Sequence, residues 1–135
     1  MSKPRPARSS RRIRDERGSA TVELVILLPA LFAVMFLGMQ AALYYHARTV
    51  AIAAAQEGAR AAGSEIGRES DGIAAANKFV SDAGGDVLVG AAFTADRSGT
   101  TATVTVQGFS LSVIPGWKPV VRQTASVPIE RLTAP

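Results

Sequence analysis

Between Leu24 and Tyr45 this chain runs 22 consecutive residues without a charge, and that run constrains the fold more than any other feature. From Leu24 to Met39 no side chain is charged or strongly polar, and Gln40 is the single interruption before Tyr44 and Tyr45. A helix rises about 1.5 Å per residue, so such a run just crosses a hydrocarbon layer about 30 Å thick. Inside that layer every backbone N–H and C=O must be paired within the segment, which leaves a helix as the single-pass solution. A buried core helix is the competing reading. It fails on size, because a chain of 135 residues leaves too little to wrap the run on every side.

The formal net charge of +4 is unevenly placed. Residues 1–17 carry seven cations (Lys3, Arg5, Arg8, Arg11, Arg12, Arg14 and Arg17) against Asp15 and Glu16, whereas residues 18–135 carry eight cations against nine anions. Basicity is thus a property of the leader. A nucleic-acid partner, which needs a basic face on the folded part, is not expected. Lys and Arg beside a span stay on the cytoplasmic side, which predicts an N-terminus inside and everything after Tyr45 outside. With no cysteine, neither disulfides nor thiolate metal sites are available.

Pro4, Pro6, paired serines and dense charge read residues 1–17 as a disordered cytoplasmic tail that anchors topology. A secretory signal peptide is the rival for residues 1–45. Its apolar region usually ends within about 7–15 residues at a small-x-small site, whereas this run continues through Gln40-Ala41-Ala42-Leu43 into two tyrosines. Pro29 should loosen the first turns of the span, and Tyr44 and Tyr45 fall where an aromatic belt meets the outer head groups. His46, the chain's one histidine, reads as solvated. From His46 to Ala62 the chain is rich in Ala with Gln, Glu and Arg, all strong helix formers, and Gly63 is a natural stop. Helix is therefore expected from about Ser19 to Ala62, with Val50, Ala51, Ala54, Ala55 and Ala62 as a small-residue stripe for close packing.

After Gly63 the pattern predicts a linker to Glu69, then a helix over Ser70–Ala83 with Ile73, Ala74, Asn77 and Val80 near helical spacing, ended by Gly84-Gly85. The period then becomes two. Val87, Val89, Ala91 and Phe93 alternate, Asp96–Gly99 forms a turn, and Ala102, Val104 and Val106 alternate with three threonines. Phe109, Leu111 and Val113 reverse the phase, for which a bulge at Gln107-Gly108 is expected. Pro115-Gly116 turns the chain into a third strand through Val121, Ala125 and Val127, ending near Ile129. The expected fold class is α+β: a long N-terminal helix, a small helix and a short antiparallel sheet. Residues 1–18 form the leader, 19–62 the membrane-crossing and projecting helix, and 63–135 a small extracytoplasmic domain. At that size a domain buries about 60% of its chain surface, so it needs the helix before it or a partner. Phe109, Ile114 and Trp117 are expected in its core rather than in an exposed docking patch.

No catalytic constellation is present in the sequence, which offers one histidine, no phosphate loop after a strand and no nucleophile elbow. The chain is not expected to be an enzyme, and no cofactor or metal is implied. The informative point is the entry to the span, where Gly18 follows the basic tail and Glu23 meets the membrane edge. A carboxylate there gains about 0.3–1 kcal/mol from the helix dipole when exposed. At the bilayer centre an unpaired acid costs about 2–3 kcal/mol, and less near the surface.

RGSATVELVILLPALF (Arg17–Phe32) and, one helix length later, QEGARAA (Gln56–Ala62) resemble the TadE-like family of minor pseudopilins of the bacterial tight-adherence, or Flp-type, pilus machinery. The resemblance covers about residues 17–62, with the Gly-to-Glu spacing, the apolar run with its proline, and the Gln56-Glu57-Gly58-Ala59-Arg60 segment in family order. It departs at Leu24, where an aromatic residue commonly follows the glutamate. The resemblance implies a pilin-like fold and a membrane-anchored subunit cut by a prepilin peptidase between Gly18 and Ser19. Glu23 would become the fifth residue and serve assembly. It further implies the lipid bilayer, other pilin-like subunits and the assembly platform as partners, and a place in the plasma membrane or a pilus. The alternatives are an unprocessed single-pass protein with an envelope-binding outer domain, and a small secreted binding domain released by signal peptidase.

Overall fold

The computed structural model of the protein describes residues 2–4 and 11–133. Helix α1 runs over Arg11–Gly63, α2 over Glu69–Asp82, and three strands follow: β1 (Leu88–Arg97), β2 (Thr101–Ser110) and β3 (Val120–Pro128). The fold class is α+β, as the change of period from helical to two requires. Helix α1 begins eight residues earlier than Ser19, so the tail read as disordered is helical over its described part from Arg11. Arginine is nearly as good a helix former as alanine, and no proline lies between Pro6 and Pro29 to stop the helix. Residues 1 and 5–10 of that tail lie outside the described residues.

The chain divides into two units between Leu37 and Gly38, inside α1. In the first unit, every residue whose side chain is described is exposed. The second unit contains a core made largely of alanine: Ala47, Ala51, Ala54, Ala55, Ala59 and Ala62 of α1, Ala76 and Val80 of α2, and Leu88, Ala102, Val104, Val106 and Val121 of the sheet. The small-residue stripe read along α1 is thus its packing face. Side chains this short bring backbones together. A Cβ built on Gly58 would lie 2.7 Å from the Gly72 carbonyl oxygen, 3.0 Å from Val104 Cγ1 and 3.1 Å from Ala76 Cβ. Accordingly α2 buries Gly72, Ala76 and Val80, one residue out of phase with the expected Ile73, Ala74 and Asn77, which are exposed. Without a side chain, Gly72 gave the periodicity no apolar signal.

The sheet is an antiparallel meander in the order β1-β2-β3. Strand β2 alternates without interruption, with Ala102, Val104, Val106, Gly108 and Ser110 buried. The bulge expected at Gln107-Gly108 is instead on β1, where the register shifts between Val89 and Ala92. Gly90 sits there at φ +62°, a left-handed conformation open to glycine. Leu88 therefore points inward while Val89 points outward. Gly108 is inward because Leu88 occupies its side-chain space: a Cβ there would lie 2.7 Å from Leu88 Cγ. Phe109 is consequently on the outer face. On that face Thr103 and Ser126 share a hydrogen bond of 2.8 Å, and Thr105 and Thr124 one of 2.9 Å.

The C-terminal end of α1 carries carbonyls that the helix cannot satisfy. Arg97, expected in a turn, closes β1 and supplies the donors: its Nε donates to Ala62 O at 2.9 Å, and one terminal nitrogen reaches Ser64 O at 3.2 Å and Glu65 O at 3.4 Å. The Glu130 N–H donates to Gly63 O at 3.0 Å from the chain beyond β3.

Candidate functional site: the apolar run and the loop below the sheet

The apolar run has no protein cover. Leu24, Val25, Ile26, Leu27, Leu28, Leu31 and Phe32 are all about half exposed or more, as are the large residues onward to Met39. A soluble protein does not leave a helix apolar on every side. Among the described residues the protein therefore has one helix long and apolar enough to cross a membrane. Pro29 is accommodated within continuous helix.

Gly18, Ser19 and Glu23 lie on this helix and are exposed. A Cβ on Gly18 would meet nothing within 4 Å, so the fold itself makes no demand for glycine there. Thr21 donates to Arg17 O at 2.9 Å, and among the described residues no ion pair involves Glu23. The second motif, Gln56–Arg60, divides by face. Gly58 is buried against α2 and Ala59 is buried in the core, while Gln56, Glu57 and Arg60 are exposed, the last two in a loose 3.8 Å pair. Among the described residues no group of three or more His, Asp or Glu is placed to hold a metal. His46 is exposed.

Gln40, the residue that ends the apolar run, is almost fully buried. Its Nε2 donates to Leu111 O at 3.2 Å, and its Oε1 accepts from the Val113 N–H at 2.9 Å and from Ser112 Oγ at 3.0 Å. These bonds tie the β2–β3 loop to α1 at the first turns of the compact unit. The loop is closed at its base by the Ser110 N–H donating to Pro119 O at 3.0 Å. Sequence reading marked Gln40 as an interruption and missed its role. The signal was there: an amide in an apolar run needs partners.

The loop and the adjoining strand ends display apolar side chains. Phe109, Leu111, Trp117, Val89 and Val120 are exposed, whereas Ile114 is half-buried. Phe109 and Trp117 were expected in the core. The uninterrupted alternation of β2 turns Phe109 outward, and the loop path leaves Trp117 at the surface, 49% exposed. Val89, Phe109, Leu111, Ile114 and Trp117 border a groove of about 320 Å³ together with Lys118.

A family model described as TadE-like protein matches residues 18–60. The match begins at Gly18, takes in the apolar run, and ends at Arg60. Comparison with curated proteins gives no match, and comparison with solved structures gives none either.

Proposed function

Residues 18–60 being TadE-like, we propose that the protein is a membrane-anchored, pilin-like subunit that takes part in assembling a tight-adherence pilus. The observation that carries this reading is the coincidence of the TadE-like match with a helix apolar on all sides. The coarser reading, a membrane-associated and pilus-related subunit, needs only those two facts. In the finer one, the basic end stays cytoplasmic, by the bias of seven cations before the span. A prepilin peptidase then cuts between Gly18 and Ser19, and Glu23 offers a carboxylate to the new ammonium of a neighbouring subunit. Each ion is costly alone once desolvated, and removing one member of such a pair costs about 3–5 kcal/mol because the other is stranded.

Cleavage requires the helix to open locally at Gly18, because a protease takes extended chain. Glycine eases this opening, at about 1 kcal/mol less helix stability than alanine. Mass spectrometry of the N-terminus tests the reading. Wild type and Glu23→Ala should both begin at Ser19, and Gly18→Leu should keep its leader and stay in the membrane. Glu23→Ala should assemble poorly, with Glu23→Asp intermediate. A shared, uncut N-terminus in wild type and Gly18→Leu would leave the unprocessed single-pass protein in place of the pseudopilin.

A further inference from the structure

The outer face of the sheet is layered by register. Thr103 pairs with Asp96 and Ser126, Thr105 with Thr94 and Thr124, and Gln107 with Ala92 and Arg122. The next row is Val89, Phe109 and Val120, and the chain then enters the loop of Leu111 and Trp117. Rows on one face are about 7 Å apart, so polarity changes abruptly, within one row. Four of these five apolar residues are more than 40% exposed, and Phe109 is 37% exposed. Arg122 stands beside the boundary and Lys118 beside Trp117, both exposed. A strand pattern of hydroxyls giving way to Phe, Val, Leu and Trp, with cations at the change, matches the composition of a membrane interface: aromatic rings at head-group level and long cations reaching outward from apolar surroundings.

The location of this patch supplies the second argument. Gln40 is bonded to Leu111 and Val113, and the preceding residue, Met39, is the last of the apolar run. The patch is therefore at the end of the compact unit where the chain enters it. We propose that the row Val89–Phe109–Val120, with Leu111 and Trp117, seats in the interfacial layer of the bilayer, and that Arg122 and Lys118 engage its phosphate head groups. This rests on residues 24–39 spanning that bilayer. A domain so seated is held at a fixed height, with the threonine rows in water.

Trp117 is the chain's single tryptophan, so its emission reports the seating directly. The full chain is reconstituted into vesicles of phosphatidylethanolamine and phosphatidylglycerol carrying bromine either near the carbonyl end or near the methyl end of the acyl chain. Trp117 emission should be blue-shifted, quenched most by the shallow bromine, and sheltered from aqueous acrylamide. Phe109→Ser with Val120→Ser, both on the surface, should shift emission to the red and restore acrylamide access with an unchanged circular dichroism spectrum. A companion variant, Trp117→Phe with Phe32→Trp, reports the span. Quenching of Trp at position 32 without quenching of Trp117 overturns the seating alone. Quenching of neither overturns the span and the seating with it. Trp117 sheltered from acrylamide only at high protein-to-lipid ratio, without bromine quenching, shows a second copy covering the patch and likewise overturns the proposal.

Discussion

Replacing Gly58 by alanine adds one carbon at the tightest point of the helix crossing, and two effects of opposite sign compete. Alanine stabilises an interior helical position by about 1 kcal/mol over glycine. Against this, the new Cβ would lie 2.7 Å from the Gly72 carbonyl oxygen, with Val104 Cγ1 at 3.0 Å and Ala76 Cβ at 3.1 Å. The closest of these is backbone, so relief requires α2 to move as a body, and Ala76 lies on the same helix. Overpacking of this kind costs about 1–3 kcal/mol. The clash wins in net, with a destabilisation of about 1 kcal/mol, which lowers the melting temperature by about 4–8 °C for a domain of this size. The full chain in detergent micelles, melted while circular dichroism and Trp117 fluorescence are followed, gives the measurement. Gly38→Ala is the control, because a Cβ there meets nothing within 4 Å. A Gly58→Ala protein as stable as wild type, or more stable, would refute the close crossing.

Two further substitutions probe the remaining long-range ties. Gln40→Leu leaves the Val113 N–H without its partner, at about 1–3 kcal/mol for a buried group left unsatisfied, while the Leu111 C=O keeps the Ser110 hydroxyl; a melting curve identical to wild type would show that the loop holds itself. Arg97→Lys keeps the charge but loses the planar fork, and hydrogen bonds of this charged type contribute about 1.5–3 kcal/mol. Amides of the last turn of α1 should then exchange faster with deuterium, and unchanged exchange would remove Arg97 from the helix end.

The parts legible in the sequence were those written in repeated apolar residues. The run from Leu24, the alanine stripe and the alternation at Ala102, Val104 and Val106 each place an element because many residues agree. What was misread turned on single residues with ambiguous chemistry. Phe109 looks like core, yet its direction is fixed by Gly108, whose inward place is dictated by Leu88 on another strand. The buried face of α2 is centred on Gly72, where the absence of a side chain is the packing feature. Gln40 and Arg97 find backbone partners about 70 and 35 residues away, and no local pattern announces such a bond. Gly18 and Glu23 fall within the stretch that the TadE-like model matches, and a Cβ at Gly18 meets nothing within 4 Å, so helix packing gives no reason for that glycine.

The grip of Gln40 falls mainly on main-chain atoms, the Leu111 carbonyl and the Val113 amide, with the Ser112 hydroxyl as the side chain that hydrogen-bonds to it. A grip of this kind is indifferent to what the loop displays. Gly116, at φ +78°, is held to glycine by its backbone, but the side chains of Val113, Ile114, Trp117 and Lys118 make no hydrogen bond to the amide. Those positions form an exchangeable tip on a fixed mount: side chains suited to a different surface can be installed there without redesigning the helix, the sheet or the bonds that join them.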